Sequence, residues 1–310
     1  MQKQVIFLMG PTAVGKTALA IELAQRLAVD IISVDSAMVY RGMDIGTGKP
    51  TLAEQKQAPH QLIDIADPIE PYSAAQFCVD AKTAMQQSWD RQRIPLLVGG
   101  TMLYFKALQF GLANLPAADP ELRAHLNAEA MQIGWPAMHA KLQKLDPVTA
   151  QRLNLNDQQR IQRALEINIL TGHPLATSFA QQTANALPYH VDCFALLPES
   201  REILHAKIAQ RFKQMLDAGL VDEVERLYLR GDLSLQLPSI RTVGYRQVWL
   251  YLNGELDYST MCEQAIAATR QLAKRQFTWL RSWAHLNNIK NSNQLALDTI
   301  INSVLNSSKP

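Results

Sequence analysis

Gly10-Pro-Thr-Ala-Val-Gly-Lys-Thr17 directly follows the apolar run Val5–Met9 and opens the helical pattern Ala18–Leu27. It fulfils GxxxxGK[ST] in the setting where the pattern has a mechanism, between a strand and a helix. Glycines let the backbone wrap, so that loop N–H groups and the positive end of the following helix point at one anion. Lys16 adds a point charge and Thr17 a hydroxyl suited to Mg²⁺. Gly10, Pro11, Thr12, Ala13, Val14, Gly15, Lys16 and Thr17 therefore form a candidate cradle for a phosphorylated ligand. The loop does not distinguish a nucleotide from any other diphosphate, because both present the same oxygens to it.

The rest of the first hundred residues agrees with this start. Short β-rich runs at Val5–Met9, Ile31–Val34 and Leu96–Val98 alternate with stretches of helical period. That pattern predicts an α/β fold, a doubly wound parallel sheet with ligands outside the carboxyl ends of its strands. Three of those ends carry polar residues: the loop itself, Asp35 with Ser36, and Gly99 to Thr101. A carboxylate at Asp35 can accept a proton or help organise Mg²⁺. The run Leu96–Val98 ends in Gly99-Gly100-Thr101, where an ordinary P-loop NTPase places an acidic residue for its metal. The missing carboxylate weakens that reading. Downstream, Tyr40–Pro50 is a polar, glycine-rich loop long enough to cover a ligand.

The chain has 310 residues, a net charge of +2 and 47% hydrophobic residues, enough for two compact domains or for one enlarged by an insertion. Cys78, Cys193 and Cys262 lie far apart without ligand spacing, and the histidines form no cluster, so no disulfide framework or zinc site is expected. The start lacks a secretory pattern, and no apolar run is long enough for a spanning helix. From Leu115 to Pro188 the sequence turns to Gln-, Ala-, Leu- and Arg-rich helical segments bounded by prolines. The expected organisation is a P-loop core over residues 1–114, an all-helical insertion domain over 115–188, and the returning core over 189–286. A linker and terminal helix are expected over 287–310. Within these, Cys193–Leu197 reads as a strand, and Glu199–Leu229 and Met261–Trp283 read as long helices. Asn287–Gln294 reads as the linker, before a helix with Leu297, Ile301, Val304 and Leu305 on one side. Met131, Trp135 and Met138 are expected to pack the insertion.

Charge is concentrated locally. Gln264–Leu297 holds Arg270, Lys274, Arg275, Arg281 and Lys290 and no acidic residue, so this segment alone carries +5 in a chain of +2. On a helix, Arg270, Lys274, Phe277 and Arg281 share one face, and Leu272, Gln276, Trp279 and Trp283 another that can pack inward. A face of this kind suits a polyanion such as RNA, although a solvated surface has the same composition.

Six segments together resemble the tRNA dimethylallyltransferases, also called tRNA isopentenyltransferases. They are GPTAVGKT (Gly10–Thr17), SVDSAMVYRGMDIGTGKP (Ser33–Pro50), LLVGGTMLYFKAL (Leu96–Leu108), QRIQRALEI (Gln159–Ile167), RFKQMLDAGLVDEV (Arg211–Val224) and RTVGYRQ (Arg241–Gln247). The resemblance implies transfer of a dimethylallyl group from dimethylallyl diphosphate to N6 of the adenosine at tRNA position 37, beside the anticodon, with Mg²⁺ as cofactor. It implies that Asp35 orients and deprotonates N6, that Thr101 lies beside the reacting centre, and that Arg211 joins the cradle on the diphosphate. It implies tRNA contacts at Asp35, Ser36, Ala37 and Met38, at Arg123, and at Gln159, Arg160, Ile161, Gln162 and Arg163. Further contacts are implied at Arg241, Thr242, Val243, Gly244, Tyr245 and Arg246, and the basic helix supplies Arg270, Lys274 and Arg281. Met38 stands where many relatives have glutamine. No cysteine follows Cys262, so a bacterial-type member without the zinc finger is expected, a cytoplasmic monomer with no stable protein partner. Residues alone leave two rivals open: a small-molecule kinase using ATP on the same loop, and a noncatalytic RNA-binding protein with a nucleotide switch.

Overall fold

The computed structural model describes residues 3–113, 115–180, 189–290 and 293–307. The chain divides into two compact units, residues 1–109 with 187–310, and residues 110–186. The boundaries expected at 114 and 188 fall on residues outside the described ones.

The first unit begins β1 (Gln4–Met9), α1 (Lys16–Arg26), β2 (Val29–Val34), α2 (Leu52–Gln57), β3 (His60–Gln61), α3 (Ala74–Asp90), β4 (Ile94–Gly99) and α4 (Met102–Phe110). The second unit, among the described residues, is helical: α5 (Pro120–Ile133), α6 (Trp135–Leu145), α7 (Pro147–Gln151), α8 (Gln158–Thr171) and α9 (Leu175–Ala180). The first unit resumes with β5 (His190–Leu197), α10 (Arg201–Asp217), α11 (Leu220–Tyr228), α12 (Tyr245–Leu252), α13 (Tyr258–Arg281), β6 (Asn287–Lys290) and α14 (Asn293–Ser307).

The strands form one sheet in the order β3-β2-β4-β1-β5-β6, with every pairing parallel. Both faces are buried, as expected of a parallel sheet. Ile6 and Leu8 of β1 face Leu19, Ala20 and Leu23 of α1 and Leu297 and Ile300 of α14. Val5, Phe7 and Met9 face Phe77 of α3 and Phe105 of α4. Register brings three strand ends level, since Gly99 of β4 pairs with Met9 on one side and Val34 on the other. A Cβ on Gly99 would lie 2.0 Å from the Val34 carbonyl oxygen, so the close approach of these ends depends on glycine. The cradle, Asp35 and Gly100 consequently emerge side by side. A further core joins the segment after β2 to the helices after β5: Val39, Tyr40 and Met43 pack with Phe212, Leu220, Tyr245 and Trp249.

Several expectations need correction. The helix expected over Glu199–Leu229 is two helices, α10 and α11, because Ala218 and Gly219 turn the chain between them. The linker expected at Asn287–Gln294 contains β6, which pairs with Phe194–Leu197. Ile289 is its only buried residue, so the edge strand owes its form to its neighbour and carries no alternating pattern of its own. α13 begins at Tyr258, capped by Asp257, and ends before Trp283. Phe277 packs against Leu204, Ile208 and Ala273 instead of joining the outward basic face. The side chain of Leu305 lies outside the described residues.

In the helical unit, Asp119, Asp146 and Asp157 cap α5, α7 and α8, with prolines in the first turns of α5, α6 and α7. Each cap contributes about 1 kcal/mol. Leu126, Met138, Leu142, Ile161 and Leu165 form its core, with Trp135 against them. Met131 is 88% exposed and does not pack there as expected. Among the described residues, no helix is long and apolar enough to cross a membrane.

Candidate active site

The cradle connects β1 to α1. Ala13 holds a left-handed backbone (φ 62°), rare without glycine, and such strain concentrates where a loop is shaped for a ligand. Lys16 Nζ donates to the carbonyl oxygens of Gly10 (2.9 Å) and Pro11 (2.8 Å). Burial pulls its pKa down to about 7, with the Asp35 charge opposing this and Arg211 reinforcing it. One cradle donor is already engaged: the Thr12 N–H donates to Gln276 Oε1 at 2.9 Å, so Thr12 retains its hydroxyl, not its amide, for a ligand.

Asp35 lies one residue beyond β2. Its Oδ1 accepts the backbone N–H groups of Ala37 (2.8 Å) and Met38 (3.3 Å), a local turn that fixes the carboxylate at the sheet edge. Thr101 Oγ1 accepts the Ser36 N–H at 3.1 Å, joining the ends of β2 and β4. Thr101 is thus beside the Asp35 turn but is not on the cavity wall, where Gly99 and Gly100 stand instead.

The glycine-rich segment after Tyr40 is held from beneath. Glu223 of α11, 2% exposed, accepts the N–H groups of Asp44 (3.0 Å), Ile45 (2.8 Å) and Gly46 (3.1 Å). Lys49 Nζ donates to the Tyr40 carbonyl oxygen (2.9 Å) and to Asp44 (2.6 Å) and Asp64 (2.5 Å). Arg211 of α10 donates to the Thr47 carbonyl oxygen at 3.4 Å. Burial lowers the Arg211 pKa and the Asp35 charge counteracts it; a guanidinium stays cationic at neutral pH all the same.

These parts enclose one cavity of about 780 Å³. Its wall includes Thr12, Ala13, Gly15, Lys16 and Thr17 of the cradle, Asp35, Ala37 and Met38, Arg211, and Thr242, Val243 and Gly244. Leu272 and Gln276 of α13 close another side. The cradle cations and the Asp35 carboxylate therefore share one space of a size that holds small ligands.

The residues expected at an RNA surface fall into distinct groups. Arg241, Arg246, Arg270, Lys274 and Arg281 are exposed, as are Gln159, Arg160 and Ser36. Tyr245 is fully buried and donates its hydroxyl to Glu223, so its side chain supports the glycine loop instead of standing at the surface. Ile161 is likewise fully buried, in the helical unit's core. Arg123 and Arg163 both pair with the buried Glu166, Arg123 through Nε at 2.9 Å and Arg163 through Nη1 at 2.6 Å. Gln162 Nε2 donates to the Arg123 carbonyl oxygen and to Asn127. Glu223, Lys49 and Gln276 were not among the expected site residues. An acidic residue in a helix's first turn and a glutamine mid-helix have ordinary local explanations, so only their distant partners reveal them.

The chain is similar to known proteins over most of its length. A family described as IPP transferase matches residues 38–283, and one described as isopentenyl transferase matches residues 3–67. A tRNA dimethylallyltransferase from Ralstonia nicotianae is 59% identical over 284 residues, 89% of this chain and 88% of the relative. One from Thioalkalivibrio sulfidiphilus is 58% identical over 283 residues, 91% and 88%. The solved tRNA isopentenylpyrophosphate transferase of Bacillus halodurans superposes with a TM-score of 0.71 at 36% identity, covering 99% of this chain and 98% of that one. A eukaryotic dimethylallyltransferase described as acting on tRNA superposes at 0.79 with 26% identity, covering 99% and 80%. A P-loop and a strand-end aspartate on one cavity, embedded in this degree of likeness, leave one assignment: the chain belongs to the tRNA dimethylallyltransferase family.

Proposed function

We propose that this protein transfers the dimethylallyl group of dimethylallyl diphosphate to N6 of the adenosine at position 37 of tRNA, releasing pyrophosphate. The observation that carries the reading is the single cavity lined by Lys16, Thr17, Arg211 and Asp35. In the step, the donor's C1–O bond breaks and its electron pair leaves with pyrophosphate. The N6 lone pair forms the new N6–C1 bond, and Asp35 takes the proton that N6 loses. Adenine N6 is a poor nucleophile because its lone pair is delocalised into the ring, so a positioned base has most effect as the bond forms.

Charge growing on the leaving diphosphate is met by the α1 N-terminus, Lys16 and Arg211. An oxyanion beside Lys16 favours its ammonium form and so reverses the effect of burial. The site fits Mg²⁺, a cation that prefers few protein oxygens together with phosphate: the Thr17 hydroxyl lines the wall beside the cradle and would hold it together with the diphosphate oxygens. When bound, the ion supplies charge neutralisation at the diphosphate.

The target base must leave its stack to reach Asp35, at a cost of a few kcal/mol that an anticodon loop keeps low. The exposed cations of α13 and of Arg241–Arg246 fit the phosphates of such a loop, and a tRNA substrate is consistent with the cytoplasmic site of action expected from the sequence. Incubation with dimethylallyl diphosphate, Mg²⁺ and unmodified tRNA, followed by mass analysis of nucleosides, tests the reading. The expected result is a dimethylallyl mass gain on adenosine with pyrophosphate release. ADP formation from ATP with a small substrate, or tRNA binding without covalent change, would overturn it. Asp35→Asn should lower kcat by about 10²- to 10⁴-fold.

A further inference from the structure

We infer that Gln276 is a positioning residue for the transfer, a clamp that sets the separation between the diphosphate cradle and the Asp35 turn. The inference rests on the function proposed above. Gln276 projects from the inner side of α13 and is 7% exposed. Its two amide atoms engage two different strand ends. Oε1 accepts the Thr12 N–H of the cradle at 2.9 Å, and Nε2 donates to the Gly100 carbonyl oxygen beyond β4 at 2.9 Å. The next residue, Thr101, accepts the Ser36 N–H at 3.1 Å, one residue from Asp35. One planar amide therefore joins the loop that would hold the leaving group to the turn that would hold the base.

The chemistry of the position admits few side chains. It needs an acceptor and a donor on one rigid group at the reach of two methylenes. Asparagine is too short, lysine lacks the acceptor, and ionised glutamate lacks the donor and would face the Gly100 carbonyl with like partial charge. Engaging the Thr12 N–H also removes it from any ligand, which a loop built only to bind phosphate would not favour. α13 exposes Arg270, Lys274 and Arg281 on its other side, so the rod proposed to meet RNA phosphates is the rod that carries the clamp. Reactant placement is steep in its effect: a misplacement of about 1 Å can lower a rate on the order of 100-fold.

Three variants test the assignment: Gln276→Met, Gln276→Glu and Gly100→Ala. The last keeps Gln276 but places a methyl carbon 2.4 Å from its Nε2, which provides an independent disturbance should Gln276→Met fold poorly. For each, kcat and KM for dimethylallyl diphosphate are measured with intact tRNA, beside tRNA affinity by filter binding and thermal unfolding. The expected result is a kcat lower by about 10- to 100-fold with tRNA affinity unchanged. Gln276→Glu, when ionised, keeps the length and the acceptor but loses the donor, so its kcat should fall as that of Gln276→Met does, with KM for dimethylallyl diphosphate changed less than kcat.

Variants that melt earlier but keep the wild-type kcat would overturn the clamp. A wild type that transfers no dimethylallyl group would overturn the proposed function and the clamp together, whereas an active wild type beside unaffected variants would overturn the clamp alone.

Discussion

Tyr245 donates its hydroxyl to Glu223 Oε1 at 2.5 Å, and the same carboxylate receives the backbone N–H groups of Asp44, Ile45 and Gly46. Burial and the Glu223 charge both raise the Tyr245 pKa, so the phenol remains a donor. A buried carboxylate with four donors is satisfied only while all of them stay in place. The glycine loop is thus fixed to α11 and α12, and Arg211 reaches that loop at Thr47.

Glu223→Gln puts an amide NH₂ against backbone donors and should cost about 2–4 kcal/mol, and Tyr245→Phe about 1–2 kcal/mol, both read by urea unfolding. The double variant should fall short of the sum because both residues act through one carboxylate. KM for the diphosphate substrate should rise in Glu223→Gln as Arg211 loses its support. Additive losses with an unchanged KM would contradict this account.

Gly48→Ala and Gly42→Ala separate a steric effect from a backbone effect. Both glycines have positive φ, +63° and +73°, but a Cβ on Gly48 would lie 1.7 Å from Arg211 Nη2, whereas one on Gly42 meets nothing within 4 Å. Each should lose about 1 kcal/mol or somewhat more through backbone strain. Only Gly48→Ala should also displace Arg211, lowering kcat by about 10²- to 10³-fold, the usual effect of losing one transition-state donor. Steady-state kinetics beside thermal melts decide the matter.

Acid should weaken the helical unit through Glu166. Burial pushes this carboxyl's pKa up, but hydrogen bonds from Arg123, Arg163 and the Asp119 N–H outweigh burial and leave it below the ordinary value. A depressed folded pKa contributes stability that is fully present above the unfolded value, about 4.3, and is lost as pH falls through the folded one. Glu166→Gln should cost about 2–4 kcal/mol at neutral pH, and its difference from wild type should shrink below about pH 4. Thermal unfolding of both chains across that range gives the comparison; a constant difference would count against the Glu166 linkage.

Binding of tRNA should weaken steeply with salt, each protein–phosphate contact adding about 0.7 to 0.9 to the slope of log affinity against log salt. Arg270→Ala and Lys274→Ala should each reduce that slope by about 1. Filter binding over a salt series measures it, and a slope unaffected by either change would remove α13 from the interface.

Much of this protein was legible in local pattern. The cradle, the three strands around it and the Asp35 turn announce themselves through short continuous apolar runs, buried on both faces, and the glycines and polar residues that end them, because those signals arise within a few residues. Short elements were missed for the same reason: β6 has one buried residue, Ile289, and takes its form from β5. Tyr245 and Ile161 lie in motifs that resemble RNA-contact segments, yet packing turned both inward.

The amino-acid order by itself determined that a phosphate cradle would close β1 and that an aspartate would end β2. Only the tertiary structure decided that Glu223 would carry the glycine loop across 179 residues of chain, and that Gln276 would reach Thr12 across 264. A lone buried polar side chain has no periodicity to betray it, since its meaning is set by which distant backbone groups the folded sheet leaves without a partner.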